Sequence, residues 1–209
     1  MKLADAEGLD AVSIRRVAAA LKTRPMGLYS FIDRKEDLVD LMIDEVSAEG
    51  ILEEVPTDWR EGLAAVARAI HRTGQAHPWL AGAAGRRPRI GPNAIRLVDQ
   101  SLHAISHLDA DRATKLSILR TIDLYAIGHL HADARHTGAA GADLADPSWH
   151  ASAQAHLEAL AASGDYPHLA TFGTQGLLPG NGDDSTFETG LEWLLTGIEA
   201  RLTQGFERS

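Results

Sequence analysis

The segment from Ser13 to Lys35 constrains this chain most, because it has the pattern of two short helices joined by a tight turn. Ser13 can begin the first helix, since its hydroxyl accepts a hydrogen bond from a free backbone N–H of the first turn. Apolar residues then recur at helical spacing as far as Leu21. Pro25 predicts the start of the second helix, because proline lacks a backbone N–H and fits a first helical turn. The segment is therefore predicted to form a helix-turn-helix.

The two predicted helices have a packing side and an open side. On the second helix, Met26, Gly27, Tyr29 and Ser30 are expected to stay open. A helix surface of small and aromatic residues suits a groove of DNA. The side chains predicted to be buried are Ile14, Val17, Ala18, Leu21, Leu28, Phe31 and Ile32.

The charge of this segment is opposite to that of the rest of the chain. Residues 12–35 contain six basic residues and one acidic residue, so the segment carries +5. The whole chain carries −9, which leaves −14 on the remaining residues. A cationic patch on an anionic protein favours phosphate binding at that patch with little non-specific binding elsewhere. The alternative is a solvated basic face on an ordinary helical hairpin.

Two spaced motifs make the segment similar to a known family. The first helix carries S-x-R-x-x-A-x-x-L from residue 13, and L-Y-x-F-x-x-x-K-x-x-L follows from residue 28. Together they resemble the DNA-binding signature of the tetracycline-repressor (TetR) family of transcriptional regulators. Residues 58–63, 77–79, 91–93 and 187–199 resemble the regulatory domain of the tetracycline-repressor-like branch, so the resemblance spans nearly the whole chain.

The resemblance implies where DNA would be contacted. The first helix would touch a base or phosphate, the start of the recognition helix would enter the groove, and Tyr29 and Lys35 would hold the backbone. For Tyr29 a ring buried in the core is the alternative. The implied DNA-binding residues are Arg15, Arg24, Pro25, Met26, Tyr29 and Lys35.

Two features depart from the family pattern. Only residues 1–7 precede Gly8, which is expected to end a first helix shorter than the family's. This implies either that the true start lies upstream or that the DNA-binding domain is less stable than usual. Lys22 and Thr23 stand where many relatives have a glycine. A left-handed backbone there would cost a non-glycine residue about 1 kcal/mol.

Helical spacing of apolar residues continues along the chain and predicts an all-α protein. Residues 1–45 are predicted to form the helix-turn-helix DNA-binding domain and residues 46–209 a helical regulatory, ligand-binding and dimerisation domain. Loops are expected at 137–147 and 164–184. The chain has no cysteine, signal-peptide pattern or membrane-length apolar run, so a cytoplasmic protein is expected. Beyond the helix-turn-helix, helices are expected near 38–46, 59–70, 95–105, 113–134, 148–163 and 187–202.

The helices near 113–134 and 187–202 carry apolar residues on more than one side. Such helices are expected to bury one face in their own core and another against a partner. The resemblance puts the homodimer contact of the family there, as a four-helix interface. The alternative is that both helices only fill one core.

The regulatory domain is expected to bind a small, largely apolar effector. The resemblance assigns pocket positions, and Asp123 is the sharpest of them because an acid in an apolar helix needs a partner. Residues 81–85 have no histidine where metal-tetracycline repressors bind the metal of the drug, so tetracycline is not the expected effector. The resemblance supplies Val66, Ile70, Gln100, Leu116, Leu119 and Asp123, and composition adds Trp79, His103 and Tyr125.

The sequence gives little support for catalysis. Among ten histidines, His103 and His107 share a helical face, as do His129 and Asp133, but neither pair has a third ligand at recognisable spacing. No phosphate loop or nucleophile elbow occurs. We therefore expect no catalytic residue, cofactor or metal, and a protein that is not an enzyme.

The expected function is that of a repressor. A homodimer would bind a palindromic operator in double-stranded DNA, away from any membrane, and a small-molecule effector would release it. Two alternatives remain: a ligand-binding module that has lost operator binding, and a small metal-dependent hydrolase.

Overall fold

The structure, a computed structural model, describes residues 1–83, 90–136, 146–178 and 184–206. These residues contain helices and connecting turns and no β-strand, which confirms the predicted all-α class. No helix in these ranges is both long enough and apolar enough to cross a membrane. The helices are α1 (Lys2–Glu7), α2 (Ile14–Ala20), α3 (Pro25–Leu28), α4 (Lys35–Ser47), α5 (Trp59–Ala76), α6 (Leu80–Ala83), α7 (Pro92–Ala104), α8 (Arg112–His136), α9 (Pro147–Ala162), α10 (Pro167–Phe172) and α11 (Asp184–Phe206).

Helices α1–α3, which we call the head, form the predicted helix-turn-helix and the short helix before it. The Ser13 hydroxyl accepts a hydrogen bond from the Arg16 backbone N–H at 3.3 Å, which confirms the predicted start of α2. The turn between α2 and α3 passes through Lys22 at φ 53°, the left-handed conformation expected there. Pro25 is the first residue of α3, as predicted. Gly8 follows α1 at φ 79°.

Two side chains of the helix-turn-helix segment that were predicted to be buried are exposed. Leu21 is 63% exposed and Phe31 is 82% exposed, so both predictions are wrong. The reason is that α3 ends at Leu28, and the backbone then turns, with the N–H groups of Phe31 and Ile32 both bonded to the Leu28 carbonyl. This turn directs Ile32 inward, at 5% exposure, and Phe31 outward. Leu21 lies just beyond the last residue of α2.

The head packs on α4 and α6 through a small apolar core, the head cluster. Its α4 members are Met42 and Val46, and Trp79, which precedes α6, is a further buried member. Because α4 follows the head directly and continues toward α5, a movement of α4 would move the head. The buried residues of the head cluster are Ala4, Val12, Met42, Val46 and Trp79.

Helices α5–α11, which we call the body, are centred on α5. Helix α5 packs on α7 and α8, and α8 packs on α11. Gly74 lets α5 lie close to α8, because a Cβ at this position would overlap the Leu130 side chain. Arg68 of α5 donates hydrogen bonds of 2.9, 3.1 and 2.7 Å to the Glu188 carboxylate of α11. The core of the body consists of Leu63, Ala64, Ala67, Ala104, Ile105, Ile118, Ile122, Phe187, Leu191 and Leu195.

Each of the longer predicted helices is present, but the loops differ. The segment 164–184 contains helix α10 and is therefore not a loop throughout, because Pro167 provides a helix start that apolar periodicity did not reveal. The expected loop at 137–147 lies outside the described residues except at its end. There Asp146 caps α9 by accepting from the Ser148 N–H at 2.8 Å.

Candidate functional site

The predicted DNA-binding residues lie on α2, on α3 and at the beginning of α4. Arg15, Arg24 and Pro25 are exposed, and Lys35 is half-buried. Met26 is 77% exposed. The Tyr29 residue is 48% exposed, so the alternative of a ring buried in the core is wrong.

The basic residues of this surface differ in how they are paired. Arg16 forms an ion pair with Glu7 at 2.6 Å, and this contact lowers the pKa of Glu7. Arg34 lies 3.5 Å from Asp37. Within the described ranges, the remaining four bases form no ion pair and can therefore meet phosphates without first breaking one. They are Arg15, Lys22, Arg24 and Lys35.

Asp37 fixes the backbone at the beginning of α4, next to Lys35. Its carboxylate accepts hydrogen bonds from the backbone N–H groups of Arg34 at 2.9 Å and Asp33 at 3.1 Å. These bonds lower the pKa of Asp37, and the bond from Arg34 has the larger effect. These two bonds hold the backbone of residues 33 and 34, which joins the helix-turn-helix to α4.

A cavity of about 330 Å³, the central cavity, lies between α4, α5, α7 and α8. Its volume is in the range of small-molecule sites. Most of its wall is apolar, and Arg120 and Asp123 supply charge on the α8 side. Its lining residues are Ser47, Ile70, Ala94, Leu97, Val98, Ser101, Leu116, Leu119, Arg120 and Asp123.

The central cavity brings together four of the nine predicted ligand-binding residues. They are Ile70, Leu116, Leu119 and Asp123. The sequence did not single out the α4 and α7 side chains of the wall, since their apolar spacing is equally typical of core residues. Arg120 is next to Leu119 in the sequence, yet nothing in the helical pattern distinguished it from a solvated base.

The structure places the other five predicted ligand-binding residues outside this wall. Val66 is buried in α5 at 2% exposure. Gln100 binds the backbone of Leu52, accepting from its N–H at 3.1 Å and donating to its carbonyl at 2.6 Å. His103 is exposed on α7. Tyr125 donates to the Phe187 carbonyl at 2.7 Å, on the α11 side of α8.

The fifth of these residues, Trp79, belongs to a polar contact between the head and the body. Its indole N–H donates to Asp5 Oδ1 at 2.7 Å, and His77 Nδ1 lies 2.7 Å from the same oxygen. His77 Nε2 lies 3.1 Å from Glu49 Oε2. Burial alone would lower the pKa of His77, but the hydrogen bonds to Asp5 and Glu49 outweigh it and raise the pKa. Burial likewise opposes the hydrogen bonds from His77 and Trp79 that lower the pKa of Asp5.

A second polar contact joins α4 to α7. Asp44 Oδ1 accepts hydrogen bonds from the backbone N–H groups of Asn93 and Ala94, both at 3.0 Å. These N–H groups lie in the first turn of α7 and have no partner within that helix. Since α7 lines the central cavity, Asp44 connects the cavity wall to the helix that carries the head.

A histidine cluster lies between α5 and α8, where the sequence showed only the pair His129 and Asp133. The structure adds His71 of α5, whose Nε2 lies 2.8 Å from Asp133 Oδ2. The potential ligand atoms of these three residues all lie within 4.8 Å of one another. Burial and the neighbouring His71 lower the pKa of His129. Sequence spacing could not reveal this third member, because His71 and Asp133 are 62 positions apart.

Comparisons with known proteins agree with this architecture. Residues 53–202 match the family model of the tetracyclin repressor-like C-terminal domain. The HTH-type transcriptional repressor DrrR1 of Streptomyces coeruleorubidus is 34% identical over 98% of this chain and 76% of its own length. An HTH-type transcriptional regulator of Saccharopolyspora erythraea is 31% identical over 99% of this chain and 83% of its own length.

Solved structures extend the similarity to the whole fold. Apo ActR from Streptomyces coelicolor has a TM-score of 0.74 and 25% identity over 96% of this chain and 93% of that chain. ActR in complex with actinorhodin has a TM-score of 0.72 and 26% identity, with the same coverage. The family match covers the body, and the relatives cover the helix-turn-helix head as well. The chain therefore belongs to the TetR family of transcriptional regulators, which are not enzymes.

Proposed function

We propose that this chain is a ligand-responsive repressor that binds a palindromic operator as a homodimer and leaves it when a small, largely apolar effector binds the body. The observation that carries the proposal is the central cavity, because its wall includes Ser47 at the end of α4. Helix α4 begins directly after the helix-turn-helix. One helix therefore reaches both the candidate ligand site and the candidate DNA surface.

In this proposal residues 1–45 bind DNA and residues 46–209 regulate that binding. Arg15 and the beginning of α3, with Arg24, Pro25 and Met26, would read or enter the major groove, while Tyr29 and Lys35 would hold phosphates. Five of these residues are exposed and Lys35 is half-buried, and the four bases Arg15, Lys22, Arg24 and Lys35 form no ion pair within the described ranges, which supports these roles. Phosphate contacts fix the position of a protein on DNA, and contacts to base edges provide the specificity.

The proposed dimer contact uses α8 and α11, in the segments 113–134 and 187–202. Both helices pack one face into the core of the body and expose large apolar side chains on another. Leu124 of α8 is 65% exposed, and Trp193 of α11 is 74% exposed. Two copies joined there would form a four-helix interface. Such a dimer would place its recognition helices in successive major grooves, about 34–36 Å apart.

The proposed effector binds the central cavity and acts through α4 and α7. The apolar wall favours an apolar ligand, and Arg120 and Asp123 favour a polar group on its α8 side. The complex of ActR with actinorhodin supports a ligand-bound state in a similar fold. The effector would weaken operator binding by its preference for the non-DNA conformation, typically about 1–3 kcal/mol.

Operator selection from random duplex DNA tests the proposal. We expect enrichment of a palindromic sequence, and binding of that sequence by the full chain should weaken steeply as salt is added. In a plot of the logarithm of the binding constant against the logarithm of salt concentration, the slope for Lys35→Ala should be shallower by about 1 for each phosphate that Lys35 neutralises. Arg72→Ala is the control, because it also removes one positive charge and Arg72 is exposed on α5, outside the head and outside the proposed dimer contact. A chain that prefers no sequence over bulk DNA would instead be a ligand-binding module without operator function.

A further inference from the structure

The histidine cluster of His71, His129 and Asp133 offers a donor set that operator binding does not use. Helix α5 supplies one imidazole, and α8 supplies the other imidazole and the carboxylate from two positions one turn apart. Two imidazoles with one carboxylate form a ligand set suited to Zn²⁺, Fe²⁺ or Ni²⁺ rather than to Mg²⁺ or Ca²⁺, which prefer oxygen ligands.

The distances in the cluster are close to those that a metal ion requires. Imidazole nitrogens and carboxylate oxygens lie about 2.0–2.2 Å from Zn²⁺, so neighbouring ligand atoms are separated by about 3–4 Å. The His71 Nε2 and Asp133 Oδ2 atoms are 2.8 Å apart, and every pair in the cluster lies within 4.8 Å. A small tilt of the His129 ring would bring the third ligand atom to this separation.

Aromatic neighbours hold the two imidazoles in place. The His71 ring stacks on Phe187 with a centroid distance of 4.0 Å, and the His129 ring meets the same phenyl ring edge-on at 5.2 Å. The two imidazole rings are nearly perpendicular at 82°. The Tyr125 ring also lies near His129, with a centroid distance of 4.7 Å. Fixed ligand orientation lowers the entropic cost of binding an ion.

The cluster also has a route for an ion to enter. His71 is 6% exposed, whereas His129 is half-buried and lines an open groove along α8 and α11. Water from this groove could complete the coordination. The groove gives an ion a path to the cluster, and the buried His71 gives it a protein ligand away from water.

We propose that His71, His129 and Asp133 bind one divalent transition-metal ion, of the Zn²⁺ class, which fastens α5 to α8. His71 would bind through Nε2 as a neutral imidazole with its proton on Nδ1, and any second proton is released to water. The hydrogen bond between His71 and Asp133 is then replaced by one bond from each residue to the ion. Water occupies the remaining coordination. This site is separate from the central cavity, and its existence does not depend on operator binding.

Metal titration of the EDTA-treated, dialysed full chain tests the proposal. Calorimetry with ZnCl₂ should give one ion per chain, and a hundredfold excess over the dissociation constant should raise Tm by about 5–10 °C. MgCl₂ should give no shift. Cobalt(II), used as a spectroscopic probe, should show visible absorption bands of a nitrogen- and oxygen-ligated ion. The His129→Gln and Asp133→Asn variants should lose both the bands and the Tm shift.

The matched control is the double variant His103→Ala and His107→Ala, which removes two exposed histidines, one in the last turn of α7 and one in the turn after it. It should keep the stoichiometry, the bands and the shift of the wild type. The unfolding midpoint of each variant in EDTA shows whether it is folded, and His129→Gln is chosen because it keeps most of the side-chain volume. The proposal is overturned if folded His129→Gln binds Zn²⁺ like the wild type, or if the wild type binds no stoichiometric ion.

Discussion

His77 is a single residue that connects three parts of the chain. It contacts Asp5 of α1 and Glu49 beyond α4 while it lies directly after α5. Asp5 also accepts from Trp79, so one carboxylate receives two hydrogen bonds from the body. The head is therefore attached to the body by charge as well as by the apolar head cluster.

The opposite pKa shifts of His77 and Asp5 predict a pH-dependent stability. The raised pKa of His77 gives stability that is complete below its unfolded value of 6.5 and is lost as pH rises through the folded pKa. The lowered pKa of Asp5 gives stability that is present above 3.8 and is lost as pH falls through the folded pKa. We expect the advantage of the wild type over His77→Gln to be largest between these values.

Urea denaturation of both proteins at pH 5.5 and pH 8.5 measures this difference, and the advantage should shrink at the higher pH. His156→Gln, at an exposed position on α9, is the control and should track the wild type at both values. An advantage of the wild type that does not change with pH would mean that the charge of His77 does not stabilise the head.

Lys22 carries the backbone strain of the turn between α2 and α3. Its φ of 53° is positive, a conformation that a Cβ makes unfavourable. We expect Lys22→Gly to raise the free energy of unfolding by about 1 kcal/mol because it removes this strain. Lys22→Ala removes the same charge but keeps the Cβ, so it should bring no comparable gain. Equal urea denaturation curves for the two variants would contradict the argument.

Among the helices, α4 and α7 form the connection between the cavity and the head. Asp44 binds the first turn of α7, and Ser47 lies one turn later on α4 in the cavity wall. A ligand in the cavity would contact α4 through Ser47 and α7 through Leu97 and Val98. This arrangement is the physical basis for the proposed release from DNA.

A large side chain placed in the cavity should imitate the effector. We expect Leu119→Trp to weaken operator binding by about 5–150-fold, the range of ordinary allosteric coupling, while the chain stays folded. Ala155→Trp is the control, because Ala155 is exposed on α9 and is not part of the cavity wall. Electrophoretic mobility shift with the selected operator measures the effect. If Leu119→Trp binds the operator with unchanged affinity, the cavity is not coupled to DNA binding.

For the whole molecule, the exposed apolar faces of α8 and α11 predict the oligomeric state. Glutamate in place of a large apolar side chain in an interface core would bury an unpaired charge, which costs several kcal/mol. We expect Trp193→Glu combined with Leu124→Glu to convert a dimer to a monomer in analytical ultracentrifugation and to weaken operator binding. Trp149→Glu is the control, because it makes the same substitution on α9, outside the proposed dimer contact. This variant should remain dimeric. A monomeric wild type would contradict the proposed dimer.

Local signals predicted most of the fold. The cap at Ser13, the proline at Pro25 and the apolar spacing of α5, α8 and α11 predicted helix positions that the structure confirms. The errors fall where the helical spacing ended. Phe31 was assigned to the core on a helix that in fact ends three residues earlier, and α10 begins at a proline inside a segment with weak periodicity.

The candidate sites show what local signals could not supply. Caps, prolines and apolar spacing act over a few neighbouring residues, so the chain alone was enough to predict its helices, its all-α class and its cationic helix-turn-helix. Which side chains meet depends on how the helices pack. Gly74 allows α5 and α8 to approach, and that packing brings His71 to Asp133 across 62 positions of sequence. Packing likewise places Trp79 next to Asp5 rather than in the cavity, because there its ring is buried in the head cluster and its N–H donates a hydrogen bond to Asp5.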